Sequence, residues 1–513
     1  MATVALGSKA GKWIMVSTIM ASAMAFIDAT ALNVVLPSLQ KSLNASGTDL
    51  FWILNAYLLM LTALILIGGS LGDKLGRKKV FMAGIFLFIL GSAACGFAPG
   101  VTLLIVFRML QGIGGALMIP GSLSLISSSI NPNERGKAIG TWSAFTTVVT
   151  MGGPVLGGAF GDAGLWRYIF FINIPIGIVA LIILAKQVKE IRDENSKQGL
   201  DIAGAVAIAL GLAAVTFGFL RIPAVGLNNW QVYASLGGGL LLLLAFIIIE
   251  KKGRHPMMPL QLFTNITFSG ANLLTFFLYA GLGAGMLFLG LNMVQVQGYS
   301  QLQSGLTFLP FTVLMIVIAR FAGALADKHG PRLFLIVGPA CAGAGLLILS
   351  FVKQTAGPAA YWTTFFPGIL VFGLGMSFTV APLTAAVMSS VSDHFSGTAS
   401  GVNNALTRIA NVFANAILGA LAVLFFSGAL QGEIKNVKLN DKQKQLVIKQ
   451  AVNLGNAKAP EVFNEQDKAT IAKAYKESFI AAYANIMRIS AGLAFLGAIM
   501  SVMFIRNSAV KKG

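Results

Sequence analysis

Gly69-Ser-Leu-Gly-Asp73-Lys-Leu-Gly76-Arg77-Lys-Lys79 joins two long apolar runs with almost no slack, and Gly323-Ala-Leu-Ala-Asp327-Lys-His-Gly330-Pro-Arg332 repeats its order of small residue, aspartate, lysine, glycine and arginine. A polar turn between apolar runs marks one edge of a membrane, and its recurrence points to a duplicated helical unit. The first copy follows the second apolar run and the second copy follows the tenth. An offset of eight runs, rather than six, leaves two helices standing between two six-helix halves.

Composition sets the class. Of 513 residues, 56% are hydrophobic and only 11% charged, far from the balance of a soluble domain. About fourteen apolar runs near twenty residues long follow one another from Trp13 almost to the C-terminus, each able as a helix to cross a hydrocarbon core of roughly 30 Å. Continuous apolarity, short loops and 58 glycines speak against a strand barrel. No small-residue cleavage site follows the first run, which reads as a retained helix. The expected fold is all-α integral membrane: residues 1–190 form one six-helix half, 191–262 two inserted transmembrane helices, and 263–513 a second six-helix half with a long outside loop at 427–480. Within this scheme the eighth run spans 230–249 and the last 481–505.

The net charge of +19 would suit a nucleic-acid binder, but its distribution points to membrane topology instead. Lys and Arg collect in alternate loops by roughly five to one, which places both termini in the cytoplasm under the positive-inside rule. The segment 427–480 is lysine-rich yet falls outside, as long loops translocate largely regardless of charge. Its stretch from Asp467 to Ile480 reads as a solvated amphipathic lead-in to the last span. Cys95 and Cys341 lie in apolar runs as small hydrophobes, and His255, His329 and His394 show no metal-ligand spacing.

Four stretches resemble the major facilitator superfamily in its fourteen-helix drug:proton antiporter branch. One is the turn from Gly69 to Lys79. Another is Ile27-Asp28-Ala-Thr-Ala-Leu-Asn33-Val-Val-Leu-Pro37 in the first run. The remaining two are Arg108-Met-Leu-Gln111-Gly112-Ile-Gly114-Gly115 in the fourth and Gly152-Gly153-Pro154-Val-Leu-Gly157-Gly158 in the fifth, with Trp166-Arg167-Tyr-Ile-Phe-Phe-Ile-Asn173 beyond. The resemblance implies the facilitator fold and export by antiport. It implies a conformational latch at Gly72, Asp73, Gly76 and Arg77, and an antiporter helix motif at Gly153, Pro154, Gly157 and Gly158. The latch has a physical form: the Asp73 carboxylate against a helix N-terminus near Ser396–Ser400, where N–H groups and the helix dipole favour an anion.

Residue by residue, Asp28 is the one acid of 18 that sits clearly inside an apolar run; the others fall in loops or at helix ends, where Asp49 and Asp201 read as caps. Arg108 forms a polar and small stripe with Gln111, Gly112 and Gly115, so it faces protein or water rather than lipid. Asp28 lies eight residues before Leu36 and Arg108 seven beyond Val101, which sets both about 10–12 Å below the outer face at 1.5 Å per residue. They can meet, and they are the expected proton-coupling pair. Gly153, Gly157 and Gly161 recur every fourth residue in a groove where a neighbouring backbone can approach.

The expected function is proton-coupled export of hydrophobic or cationic drugs by alternating access, with a dedicated exporter or flippase of one metabolite or lipid as the alternative and a non-transporting membrane sensor as a remote one. Asp28, Tyr57, Gln111, Phe276, Phe277, Met286 and Phe288 are candidate substrate contacts, since aromatic and thioether side chains suit varied flat or cationic molecules. The sequence holds no nucleotide-binding loop, nucleophile elbow or metal cluster. No enzyme activity, cofactor, metal or nucleic acid is expected; the partners are protons, small molecules and the bilayer of the cytoplasmic membrane, and a monomer is the expected state.

Overall fold

The computed structural model describes residues 3–188, 190, 201–253, 256–391, 396–437 and 439–506. Regular structure among these residues is helical apart from one parallel bridge between Val4 and Ile130. Fourteen helices among the described residues are long and apolar enough to cross a membrane. The chain is thus an all-α, multi-pass membrane protein, as long apolar helices that satisfy their own backbone hydrogen bonds require.

Two compact units divide the chain. The first comprises Met1–Leu39, Trp52–Val215 and Ser235–Pro259. It contains most of α1 (Lys9–Leu43) and α2 (Gly47–Leu75), then α3 (Arg77–Phe97), α4 (Val101–Ser129), α5 (Arg135–Asp162), α6 (Tyr168–Phe171), α7 (Asn173–Gln187), and parts of α8 (Ile202–Val225) and α9 (Trp230–Lys252). Within it α3 packs on both α4 and α7. Small residues allow this. A Cβ on Gly91 would lie 2.7 Å from the Gln111 nitrogen, and one on Gly112 would lie 2.5 Å from the Tyr57 carbonyl oxygen. Glycine in these helices therefore brings α4 against both α3 and α2.

The second unit comprises Gln40–Phe51, Thr216–Ala234 and Leu260–Gly513. It holds α10 (Ile266–Gln295), α11 (Gln301–Leu306), α12 (Leu309–His329), α13 (Arg332–Leu349), α14 (Tyr361–Ser389), α15 (Ser396–Glu433), α16 (Asp441–Lys449) and α17 (Glu465–Phe504). Here α13 packs on α14 and α10 on α17. The lead-in to the last span is an amphipathic helix continuous with it: α17 is one helix from Glu465, with Ile471, Tyr475 and Ser478 buried along it and Lys473 and Lys476 exposed. The Tyr475 hydroxyl donates to the Val447 carbonyl at 3.1 Å, tying α16 down, and Gln40 Oε1 accepts from Asn456 at 2.7 Å and Gln295 at 3.0 Å. Apolar residues placed periodically among lysines find a surface to bury against, so the segment folds onto its unit.

The repeat is visible in the backbone. Gly76, between α2 and α3, has φ +112°, and Gly330, between α12 and α13, has φ +87°. A residue with a Cβ is strained in that region, which explains why both copies of the turn keep glycine at this position. At Gly76 there is a second constraint: the Glu190 carboxylate accepts from the backbone of Lys78 at 3.0 Å and Lys79 at 3.1 Å, capping α3, and a Cβ on Gly76 would lie 2.6 Å from Glu190 Oε1. Both expected caps are present: Asp49 accepts from Ser46 N at 2.8 Å, and Asp201 from Gly204 N at 2.7 Å.

Gly76→Ala is expected to cost on the order of 1–3 kcal/mol from backbone strain. Gly72→Ala, in helical backbone with its nearest neighbour at 3.9 Å, serves as the control and should be neutral or mildly stabilising. Thermal unfolding of the two purified variants in detergent would rank them; equal losses would show that the turn does not depend on the glycine backbone.

Candidate functional site

Asp28 stands mid-way along α1, and the unit folds a polar cluster around it. Arg108 and Gln111, one turn apart on α4, reach it together. The Arg108 Nη1 donates to Asp28 Oδ2 at 2.5 Å, and the Gln111 Nε2 to Asp28 Oδ1 at 2.9 Å. Arg108 also donates to Gln111 Oε1 at 2.8 Å and, through Nε, to the Ile53 carbonyl at 3.3 Å. The Tyr57 ring lies 4.5 Å from the guanidinium carbon. Asp28 is 0% exposed, Arg108 1% and Gln111 0%. Burial of either charge alone would cost several kcal/mol, so the pair and its hydrogen bonds are mutually required.

A second ring of polar groups orients the first. Ser92 on α3 accepts from Gln111 Nε2 at 3.3 Å and Asn173 Nδ2 at 3.0 Å, and donates to the Phe170 carbonyl at 2.8 Å. The Cys95 thiol reaches Gln111 Oε1 at 3.8 Å. Both amide atoms of Gln111 are thereby committed, which holds its nitrogen toward the carboxylate. Ser92 was not singled out by sequence reasoning, and Cys95 was read only as a small hydrophobe. Ser and Cys in an apolar run carry no signal until the facing helix is known.

The glycine stretch Gly153–Gly158 braces the same stretch of α1. A Cβ on Gly153 would run into the Thr30 hydroxyl, and one on Gly157 into the Ala31 carbonyl oxygen, so α5 seats against α1 two and three residues past Asp28. Thr30 Oγ1 also donates to the Thr150 carbonyl at 3.1 Å. Pro154 lies within an unbroken α5, and Gly158 is buried beside it. At the turn from α2 to α3, Gly72 lies in the last turn of α2, Gly76 precedes α3, and Arg77 Nη1 donates to the Ser124 carbonyl at 3.2 Å. The Asp73 side chain and residues 392–395 lie outside the described residues, as does the expected seating of Asp73 near Ser396–Ser400.

Candidate substrate contacts divide. Phe276, Phe277 and Met286 on α10 are half-buried. Tyr57 and Phe288 are corrected: Tyr57 is 2% exposed and stacked on Arg108, while Phe288 is 1% exposed with its ring centroid 5.9 Å from that of Phe51. Gln111 likewise turns both polar atoms inward to the ion pair and presents no free surface. Among the acids, Glu250 lies at a helix end, in the last turn of α9, which runs to Lys252. It is buried and accepts from the Met258 nitrogen at 2.9 Å.

The family model for the Major Facilitator Superfamily matches residues 18–415. The chain belongs to the major facilitator superfamily. This facilitator is therefore a membrane transporter and not an enzyme. It is 30% identical over 398 residues to the tetracenomycin C resistance and export protein of Streptomyces glaucescens, covering 78% of this chain and 73% of that one. Over 399 residues it is 31% identical to the multidrug transporter protein MdtP of Bacillus subtilis, covering 77% and 72%. A bacterial homolog of the human lysosomal transporter Spinster, solved inward-facing and unoccupied, shares the fold with a TM-score of 0.66 at 18% identity, covering 98% of this chain and 100% of that one. In its drug-resistance and export relatives, the facilitator has the company that the sequence motifs implied.

Arg108→Ala removes the counter-charge of a fully buried carboxylate and should destabilise the protein by about 3–5 kcal/mol. Asp28→Asn should cost less, since Arg108 keeps Gln111 Oε1, the Ile53 carbonyl and the Tyr57 face. Unfolding of both variants in the same detergent tests the order. A reversed order would mean that the carboxylate charge alone holds Arg108.

Proposed function

We propose that this facilitator is a proton-coupled antiporter that exports hydrophobic small molecules across the cytoplasmic membrane by alternating access, with both termini in the cytoplasm. The observation that carries the proposal is the Asp28 site. An ionisable group at this depth costs about 2.5–3.5 kcal/mol on insertion scales, which is a poor investment for mere packing. A proton carrier must also be tolerated in its neutral form. The cluster supports this, because Arg108 retains a carboxamide, a backbone carbonyl and an aromatic face when Asp28 is protonated.

In the proposed cycle Asp28 takes a proton in the outward-facing state, as substrate leaves, and gives it up facing inward, as substrate enters. A pH gradient supplies about 1.4 kcal/mol per unit, and the membrane potential about 2.3 kcal/mol per net charge per 100 mV. The α5 glycines hold the α1 backbone beside the carboxyl. The turn at Gly72–Arg77 acts as the latch that biases exchange between states. The printed roles of the relatives, resistance and export, favour efflux over uptake.

Reconstituted Asp28→Asn should fold and bind substrate yet lose uphill transport when a pH difference is the sole energy source. Continued pumping would remove Asp28 from the carrier role. Arg77→Ala is expected to slow efflux several-fold while leaving equilibrium binding largely intact, because its contact with Ser124 lies at the turn and not at the Asp28 cluster. Parallel loss of binding and rate would argue against a latch.

A further inference from the structure

The substrate class follows from where charge is and is not available, given the exporter reading proposed above. Asp28 has both oxygens occupied, by Arg108 and by Gln111, and it has no exposed surface. It offers a cation nothing that is not already neutralised. Of the other acids, Glu250 is in the last turn of α9, Asp327 in the last turn of α12, and Asp393 outside the described residues.

The second unit presents a different surface. α10 carries no charged residue over its whole length. α15 carries Asn403, Thr407 and Asn411 at every fourth position, one face of the helix, and all three are half-buried. Asn403 Nδ2 donates to Asn272 Oδ1 at 3.0 Å and to Thr275 Oγ1 at 2.8 Å, which fixes the amide against α10. Asn411 Nδ2 donates to the Thr407 carbonyl at 3.1 Å, and its Oδ1 rests on the bare Cα of Gly283. Neither the Asn403 nor the Asn411 amide oxygen has a protein donor of its own among the described residues. Beside them the Phe276 ring meets Phe413 edge-on at 6.2 Å and Phe277 at 5.7 Å, all three half-buried.

Partly exposed amides on a membrane-spanning helix do not face hydrocarbon, where an unmet polar group costs several kcal/mol. They face water or a ligand. A permanent cation would therefore shed its hydration against a face on which the described residues of α10 and the α15 stripe offer no carboxylate. An uncharged aromatic molecule with N–H or O–H donors would meet amide oxygens and aromatic edges, and would lose little.

We infer that the α10–α15 face of the second unit, with Asn403, Asn411, Phe276 and Phe413, recognises uncharged, hydrogen-bonding aromatic compounds, and that permanent lipophilic cations are poor substrates. This narrows the expectation of cationic drugs drawn from the sequence.

The test uses two radiolabelled aromatic probes, chloramphenicol as the neutral hydrogen-bonding one and tetraphenylphosphonium as the permanent cation. Equilibrium binding to the purified full-length protein and pH-gradient-driven transport in proteoliposomes would both be measured. The expected result is at least tenfold preference for the neutral probe, reduced about tenfold by Asn411→Leu. Asn411→Asp places a carboxylate on the same face and should raise tetraphenylphosphonium binding, a gain that misfolding cannot produce. Tetraphenylphosphonium bound and pumped by the unaltered protein as well as chloramphenicol would overturn the substrate class while leaving the exporter reading standing. Binding of chloramphenicol without any transport driven by the pH gradient would support the face and sink the proton-coupled reading. Binding of neither probe, or no response to Asn411→Asp, would overturn the assignment of the face.

Discussion

A buried carboxylate and a buried guanidinium cannot be accommodated separately in a membrane helix bundle, and this constraint organises the first unit. Asp28 and Arg108 arrive on α1 and α4, so those helices must present matching depths and faces. Gln111 then bridges the pair, Tyr57 covers the guanidinium, and Ser92 with Asn173 fixes the bridge. Each added group reduces the desolvation penalty left by the one before, because polar atoms in a low-dielectric site are costly until their last lone pair or proton is used.

Side chains reach one another at hydrogen-bonding distance only if the backbones come close enough. Gly91 and Gly112 admit α4 to α3 and α2, while Gly153 and Gly157 admit α5 to α1 just beyond Asp28. These glycines contribute no polar atom to the cluster, yet they set its geometry. A methyl group at any of them would push a helix outward by more than the tolerance of a hydrogen bond. The Gly153–Gly158 stretch thus has a concrete consequence in this chain: it holds α1 just beyond Asp28.

Charge is distributed unequally between proton handling and the amide–aromatic face. The carboxylate that we assign to the proton is saturated by its own unit, whereas α10 is uncharged and α15 contributes amides. With Asp28 committed to Arg108 and Gln111, a neutral substrate and the proton need not contend for a single negative charge. Competition for one carboxylate is the difficulty that a cationic substrate raises in a chain with so few membrane acids.

Much of the protein was legible in the linear chain. Hydropathy and length determined the class and the fourteen spans, and the order of residues in two polar turns showed the repeat, whose two glycines prove to share a positive φ. Depth counting along two helices placed Asp28 beside Arg108, since rise per residue is invariant in a helix. What the sequence could not set was the rotation of each helix about its axis and the point at which each one ends. Those depend on neighbours. Tyr57 and Phe288, candidate substrate contacts by residue type, turn into packed interiors, and Asn403, Thr407 and Asn411 gain meaning only opposite Asn272, Thr275 and Gly283. Periodicity says which residues share a face; tertiary packing decides what that face meets.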